Sequence, residues 1–318
     1  MTDFTNSVSN SNTNFQRIYS CFITSLKPAF KTIRWLLSIM IPVSFAVMLL
    51  DYSGFLFWLA GYTGPLAKLI GLRGESVLVL LSSGLLNIYS AVATIQSLTF
   101  TGREITILAL MCLISHNLII ETAVQKKTGS SALWMVMLRI TAAIIGGYLL
   151  NLILPGEPAV NSSKTIVHTQ LPFLVILKPW IYSTLWLIAK AIMIIIGLNF
   201  LQRVMDEFSI TIWLSKLMSP LLRLFGLPTQ ASFMWLIANV IGLAWGSAIL
   251  IEQAEQGKIS RQEANLLNHH IAISHSLLED TLLFVAIGVS AGWIIFPRLF
   301  LAFVAVWLYR LFFIQKLS

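Results

Sequence analysis

The residues best equipped for chemistry occur twice. Ser115-His116-Asn117-Leu118-Ile119-Ile120-Glu121-Thr122 lies in an apolar run, and Ser274-His275-Ser276-Leu277-Leu278-Glu279-Asp280-Thr281 repeats its Ser, His, acid and Thr in order 159 positions later. An imidazole changes charge near neutral pH and an opposed carboxylate tunes it, so such a pair can carry a proton or meet a polar solute. Ionisable groups at membrane depth cost about 2.5–3.5 kcal/mol or more, so they normally face a bundle interior or wet cavity and mark a pathway. The competing reading is an interfacial turn whose side chains snorkel to water, with Lys126 and Lys127 just beyond.

Spacing refines this expectation. In the second copy His275 and Glu279 are four apart, which predicts a shared helical face with Asp280 beside it. In the first copy His116 and Glu121 are five apart, which suits a helix that breaks between them. A broken helix offers backbone carbonyls and amides to a ligand. The candidate binding set is Asn87, Ser90, Ser115, His116, Glu121, Thr122, Asn239, Ser247, Ser274, His275, Glu279, Asp280 and Thr281. Asn87 and Asn239 sit among small residues that also permit close helix packing, yet a buried amide offers both donor and acceptor. Arg139 and Arg298 occupy matching places, each five residues after a Trp. They suit an ion pair with an acid such as Glu121 or Asp280, or else an anionic ligand. His269-His270 lack a counterpart in the first copy, where Leu110 and Met111 stand. They are expected to be solvated turn residues, and neither a metal nor a cofactor is expected.

These groups must be positioned by a duplicated frame. Residues 35–98 match 190–253 at an offset of 155, pairing Phe45 with Phe200, Asp51 with Asp206, Trp58 with Trp213, Pro65 with Pro220 and Gly71-Leu72 with Gly226-Leu227. Two greasy helices matched by chance would share Leu and Val but not this ordered set. The 318 residues are 57% hydrophobic and only 11% charged, far below the roughly 25% charged of a soluble domain. Several apolar runs reach the roughly 20 residues needed to span a bilayer, and their length predicts helices rather than barrel strands. The fold class is therefore an all-α integral membrane protein of two tandem repeats with re-entrant or broken helices. The predicted divisions are a disordered polar tail over 1–24, a first repeat over 25–154, a linker over 155–179 and a second repeat over 180–318.

The net charge of +8 comes from scattered Lys and Arg rather than a stripe, so nucleic acid is not an expected partner. With the N-terminus inside and residues 76–98 and 231–251 re-entrant, the basic residues collect on one side, which favours inverted repeats. Making 104–124 re-entrant scores nearly as well. Amphipathic pieces around Trp58 and Trp213 are expected in the headgroup layer. Cys21 and Cys112 have no metal or disulfide spacing. No phosphate loop or nucleophile elbow appears, and an enzyme is not expected.

The run Gly71-Leu72, Asn87-Ile88-Tyr89-Ser90-Ala91, Arg103-Glu104 and Ser115-His116, with the Ser274 to Thr281 stretch, resembles the Gate or nucleoside-recognition domain. That domain occurs in concentrative nucleoside transporters, in the membrane part of ferrous-iron transporter B and in bacterial spore-maturation A and B membrane proteins; the second His motif is most similar to the spore-maturation type. The resemblance covers most of the chain as two tandem gates. The iron-transporter gates carry cysteines near the positions of Asn87 and His116 and a fused GTPase, both missing from this chain. The resemblance implies a multi-pass protein of the bacterial inner membrane with a cytoplasmic N-terminus. It would translocate a small polar solute, nucleoside-like, or an ion through a midplane site, with H+ or Na+ coupling. A non-transporting scaffold or regulator of the spore-maturation type is the alternative. The expected partners are the lipid bilayer and a second copy or another membrane protein.

Overall fold

The computed structural model describes residues 2–156, 172–240, 242 and 250–314, all of them helices and connections, with no strand among the described residues. The first repeat runs α1 (Thr2–Tyr52), α2 (Phe55–Leu69), α3 (Ser76–Leu85), α4 (Ile88–Ser97), α5 (Gly102–Ser115), α6 (Leu118–Lys127) and α7 (Ala132–Ile153). The second runs α8 (Phe173–Glu207), α9 (Ile210–Leu224), α10 (Ser232–Val240), α11 (Arg261–Ser274), α12 (Glu279–Val285) and α13 (Ala291–Tyr309), with residues 250–255 helical where α4 has its counterpart. Five stretches are long and apolar enough to cross a membrane: Asn14–Tyr52, Gly102–Lys127, Ala132–Ile153, Phe173–Glu207 and Ala291–Phe312. Their outer faces expose Trp186, Met193, Ile144 and Phe296, as lipid allows and water does not.

The sequence duplication reappears as duplicated local chemistry. Gly71 and Gly226 end α2 and α9 at φ of 72° and 73°, and Leu72 and Leu227 donate their N–H groups back to Ala67 and Leu222. This is a Schellman cap, which needs the left-handed conformation that glycine adopts without penalty. Thr101 with Glu104, and Ser260 with Glu263, form reciprocal capping boxes at the starts of α5 and α11. Glu104 is also buried against Arg73, Nε to Oε1 at 2.9 Å. Thr101→Ala is therefore expected to cost about 1 kcal/mol by loss of the cap alone; a shift in thermal unfolding of the detergent-solubilised protein checks it, and no shift would refute the cap's contribution.

Residues 76–97 do re-enter. Ser82 Oγ lies 3.1 Å from Thr94 Oγ1, whereas a continuous helix would hold residues twelve apart at about 18 Å. The chain reverses at Leu86-Asn87, so α3 and α4 form a hairpin. In contrast α5 and α6 form one interrupted crossing, not the re-entrant piece. In the second repeat α10 holds the place of α3; residues 241 and 243–249 lie outside the described residues.

Equivalent helices run in opposite directions. α1 and α8 pair antiparallel along their lengths, with Phe22 on Phe200, Phe45 on Trp180 and Tyr52 on Phe173. α5 starts beside the end of α7, where Arg103 bonds the Asn151 carbonyl, while α11 starts at the opposite end, where Arg261 packs on Gly129. The two repeats are thus inverted. α5 sits at the centre, apolar on every side and buried from Ile107 to Ile114, as a helix without a lipid or water face must be.

Two boundaries differ from expectation. Residues 14–24 continue α1 instead of forming a disordered tail: Arg17 pairs with Glu207 at 2.7 Å, Cys21 is buried and Phe22 packs on Phe200. The Ser, Asn and Thr residues mask this interleaved contact set. The linker is also shorter than predicted, because α8 begins at Phe173 and carries Pro179 inside it; residues 157–171 lie outside the described residues.

Candidate functional site

Both interrupted helices break at the same place. α5 ends at Ser115 and α11 at Ser274, and the residues after each histidine, Asn117 and Ser276, take φ of 48° and 53°. Non-glycine residues seldom adopt this left-handed conformation, which is strained and tends to occur at functional sites. Each break is tied to a hairpin arm. Asn117 N–H donates to Ser83 O at 2.9 Å, and Ser276 N–H to Ala238 O at 2.9 Å. The break overturns the expected shared helical face of His275 and Glu279, since α11 has already ended and α12 starts only at Glu279.

A helix end leaves carbonyls unpaired and slightly negative, and lipid offers them no donor. Arg139 and Arg298, both fully buried, fill this need. Arg139 Nε donates to Ile114 O at 2.8 Å and Nη2 to His116 O at 2.6 Å. Arg298 does the same one repeat on, Nε to Ile273 O at 3.2 Å and Nη2 to His275 O. Arg139 Nη2 also lies 2.7 Å from Glu121 Oε2. Of the two predicted ion pairs, that with Glu121 forms; Arg298 has no carboxylate within 4.0 Å among the described residues and serves the carbonyls.

The two breaks meet at their tips. His116 and His275 are buried with rings 4.9 Å apart and Nε2 atoms 3.3 Å apart. Acids cross between repeats: Asp280 Oδ2 is 3.2 Å from His116 Nε2, and Glu121 Oε2 is 2.9 Å from His275 Nε2. Glu121 Oε1 also lies 3.2 Å from His116 Nε2. Each ring is fixed by its other nitrogen, since Nδ1 stands 3.1 Å from Cys112 O in His116 and 2.8 Å from Ile271 O in His275. A carbonyl only accepts, so Nδ1 carries the hydrogen and Nε2 of the neutral ring presents a lone pair. Two lone pairs and two carboxylates converge, an arrangement that a proton or a cation completes. Double-mutant cycles should show coupling of about 0.5–3 kcal/mol for Glu121 with His275, and for Asp280 with His116, across the repeats. Thermal unfolding of singles and doubles reads this, and simple additivity would deny the crossing.

Other predicted residues take supporting positions. Asn87 caps α4, its Oδ1 accepting from Ser90 N at 2.9 Å and Ser90 Oγ at 3.2 Å. Asn239 Nδ2 donates to Trp235 O, while its Oδ1 is buried without a partner. Ser115 Oγ turns to Met111 O and Ser274 Oγ to His270 Nδ1. Thr122 and Thr281 hydroxyls are buried and unpartnered. Ser247 lies outside the described residues. His269 and His270 are buried rather than solvated: His269 accepts from Trp134 Nε1 at 2.7 Å, and His270 accepts from Trp235 Nε1 at 3.2 Å. Their aromatic partners come from distant segments, which spacing along one helix does not reveal.

Glu279 stands apart from the symmetric set, because its counterpart is Ile120. Tyr89 Oη donates to its Oε1 at 2.8 Å from the first repeat. A cavity of about 380 Å³ between α1 and α8, lined by Lys31, Asn199, Gln202, Arg203 and Asp206, reaches Glu279. Gly242, at φ 91°, passes so close that an added Cβ would lie 3.4 Å from Glu279 Oε2. Sequence reasoning missed Tyr89 and Lys190, whose Nζ donates to Ala286 O at 2.6 Å. Lys190 has no duplicate, since Trp35 occupies the matching place, and so gave no signal.

No family model and no solved structure matches this chain. A relative from Bacillus subtilis (strain 168), the uncharacterized membrane protein YvoD, is 30% identical over 275 residues, covering 84% of this chain and 87% of YvoD. A match of that length reaches into both repeats. This all-α, multi-pass integral membrane protein belongs to the family of membrane proteins that includes YvoD.

Proposed function

We propose that the protein is a transporter of the bacterial inner membrane, built from two inverted gate-type repeats, that moves a small polar solute or ion past the His116–His275 centre. One observation carries the reading: ionisable side chains from both repeats converge at a buried point, beside a polar cavity that leads to Glu279. Membrane proteins keep such groups where something passes or binds, and inverted repeats with interrupted helices suit alternating access around a fixed site. His116, His275, Glu121 and Asp280 would contact the solute or relay H+. Arg139 and Arg298 would hold the broken ends. Tyr89 and Glu279 would form the approach from the cavity, and the N-terminus would face the cytoplasm.

Uptake into proteoliposomes, screened over nucleosides and inorganic ions with and without a proton or sodium gradient, tests this. Saturable uptake by the natural protein that is lost in the His116→Ala, His275→Ala double variant is the expected result. Identical behaviour of the two for every solute would remove transport and leave a scaffold role.

A further inference from the structure

We infer that His116, His275 and Asp280 form a three-ligand site for a first-row divalent cation such as Zn2+ or Co2+, its fourth position left to a water or to the adjacent Glu121. This names the substrate class of the centre described above and rests on that reading. The spacing is the first argument. In a tetrahedral zinc site with bonds of about 2.0–2.1 Å, neighbouring donor atoms stand about 3.3 Å apart. Here His116 Nε2 lies 3.3 Å from His275 Nε2, 3.2 Å from Asp280 Oδ2 and 3.2 Å from Glu121 Oε1. Donor atoms of His116, His275 and Asp280 all fall within 4.8 Å of one another, and Glu121 stands beside them. The two separations from His116 Nε2, to His275 and to Asp280, match the donor spacing of a zinc site, with room for a cation between the rings.

The second argument is orientation. A metal-ligating imidazole usually donates its other N–H to a carbonyl or carboxylate, which fixes the tautomer and aims the lone pair. Both rings do so, through Cys112 O and Ile271 O. The third is that a carboxylate oxygen remains unserved. Asp280 Oδ2 is buried with no hydrogen-bond donor among the described residues, whereas Glu121 Oε2 already faces Arg139 at 2.7 Å. Buried polar atoms without partners are rare in folded proteins and call for an occupant. Charge agrees: ionised, Glu121, Asp280 and Glu279 outnumber Arg139 and Arg298 by one. Mixed imidazole and carboxylate donors favour zinc-like cations over Mg2+ or Ca2+, which prefer six or more oxygens.

The test uses the full chain, stripped with chelator in detergent and titrated with Co2+ alone. One ion per chain with the visible bands of four-coordinate Co2+, displaced by Zn2+ but not by Mg2+, is expected. His116→Gln and His275→Gln should each weaken binding at least about tenfold. Absence of binding below millimolar Co2+, or binding by both Gln variants equal to that of the natural protein, overturns the proposal and leaves a shared proton between the rings. Should those variants misfold, X-ray absorption of the Zn2+-loaded natural protein decides: scattering from two imidazoles supports the site and none refutes it. Metal binding with no uptake of any solute in proteoliposomes would sink the transport reading alone. Uptake of another solute without metal binding would sink this one alone.

Discussion

Arg139→Leu is expected to destabilise the protein by about 3–5 kcal/mol, because it strands a buried carboxylate that the guanidinium now balances. The charge is only part of the loss. The same side chain closes Ile114 O and His116 O, and a carbonyl left open inside a bundle costs about 1–3 kcal/mol. Arg139→Lys should fall between, since an ammonium keeps the charge but cannot hold two carbonyls and Glu121 in one plane. Adding Glu121→Leu to Arg139→Leu should restore part of the stability, as no unpaired charge then remains. Thermal unfolding in detergent, read by intrinsic fluorescence, measures all four proteins. An Arg139→Leu variant within about 1 kcal/mol of the natural protein would show that the break stands without its arginine.

The other large effect is expected in uptake. Removing both imidazoles takes away the two rings that meet across the repeats at the centre and leaves Glu121 and Asp280 without those partners. Misplacing a reacting or binding group by about 1 Å can cost about a hundredfold in rate, and outright deletion should cost no less. Uptake by the His116→Ala, His275→Ala variant should therefore fall at least about a hundredfold while the protein remains monodisperse. Tyr89→Phe removes one hydrogen bond to Glu279, worth about 1.5–3 kcal/mol for a charged acceptor, and should slow uptake without abolishing it. A double variant that keeps more than about a tenth of the natural rate would move the pathway elsewhere.

How much was legible in the sequence depended on whether a residue had a twin. The duplication made the helices and the first break legible because glycine, proline and histidine recur at set offsets, each with a local cause such as a cap or a left-handed residue, while the inversion was read from the placement of Lys and Arg. His116, Glu121, His275 and Asp280 were visible for the same reason. Their crossed partnership was not, because distance along one copy says nothing of which acid meets which ring in the other. His275 and Glu279 show the converse failure: a spacing of four suggested a helical face, and the left-handed Ser276 removed the helix. The tail went astray because Ser and Asn dominate its composition while Phe15, Tyr19 and Phe22 do its packing or lie toward lipid. Tyr89 and Lys190 required coordinates, as each acts on a residue 190 or 96 positions away.

Position 279 has a consequence for direction. Two identical halves would tip toward either side of the bilayer with equal ease, and nothing in the fold would distinguish entry from exit. Here one half carries an extra acid, gripped by a phenol from the other half, where the twin position holds only isoleucine. In the transport proposed above, the two tilted states would therefore differ in energy and one side of the bilayer would be favoured for opening.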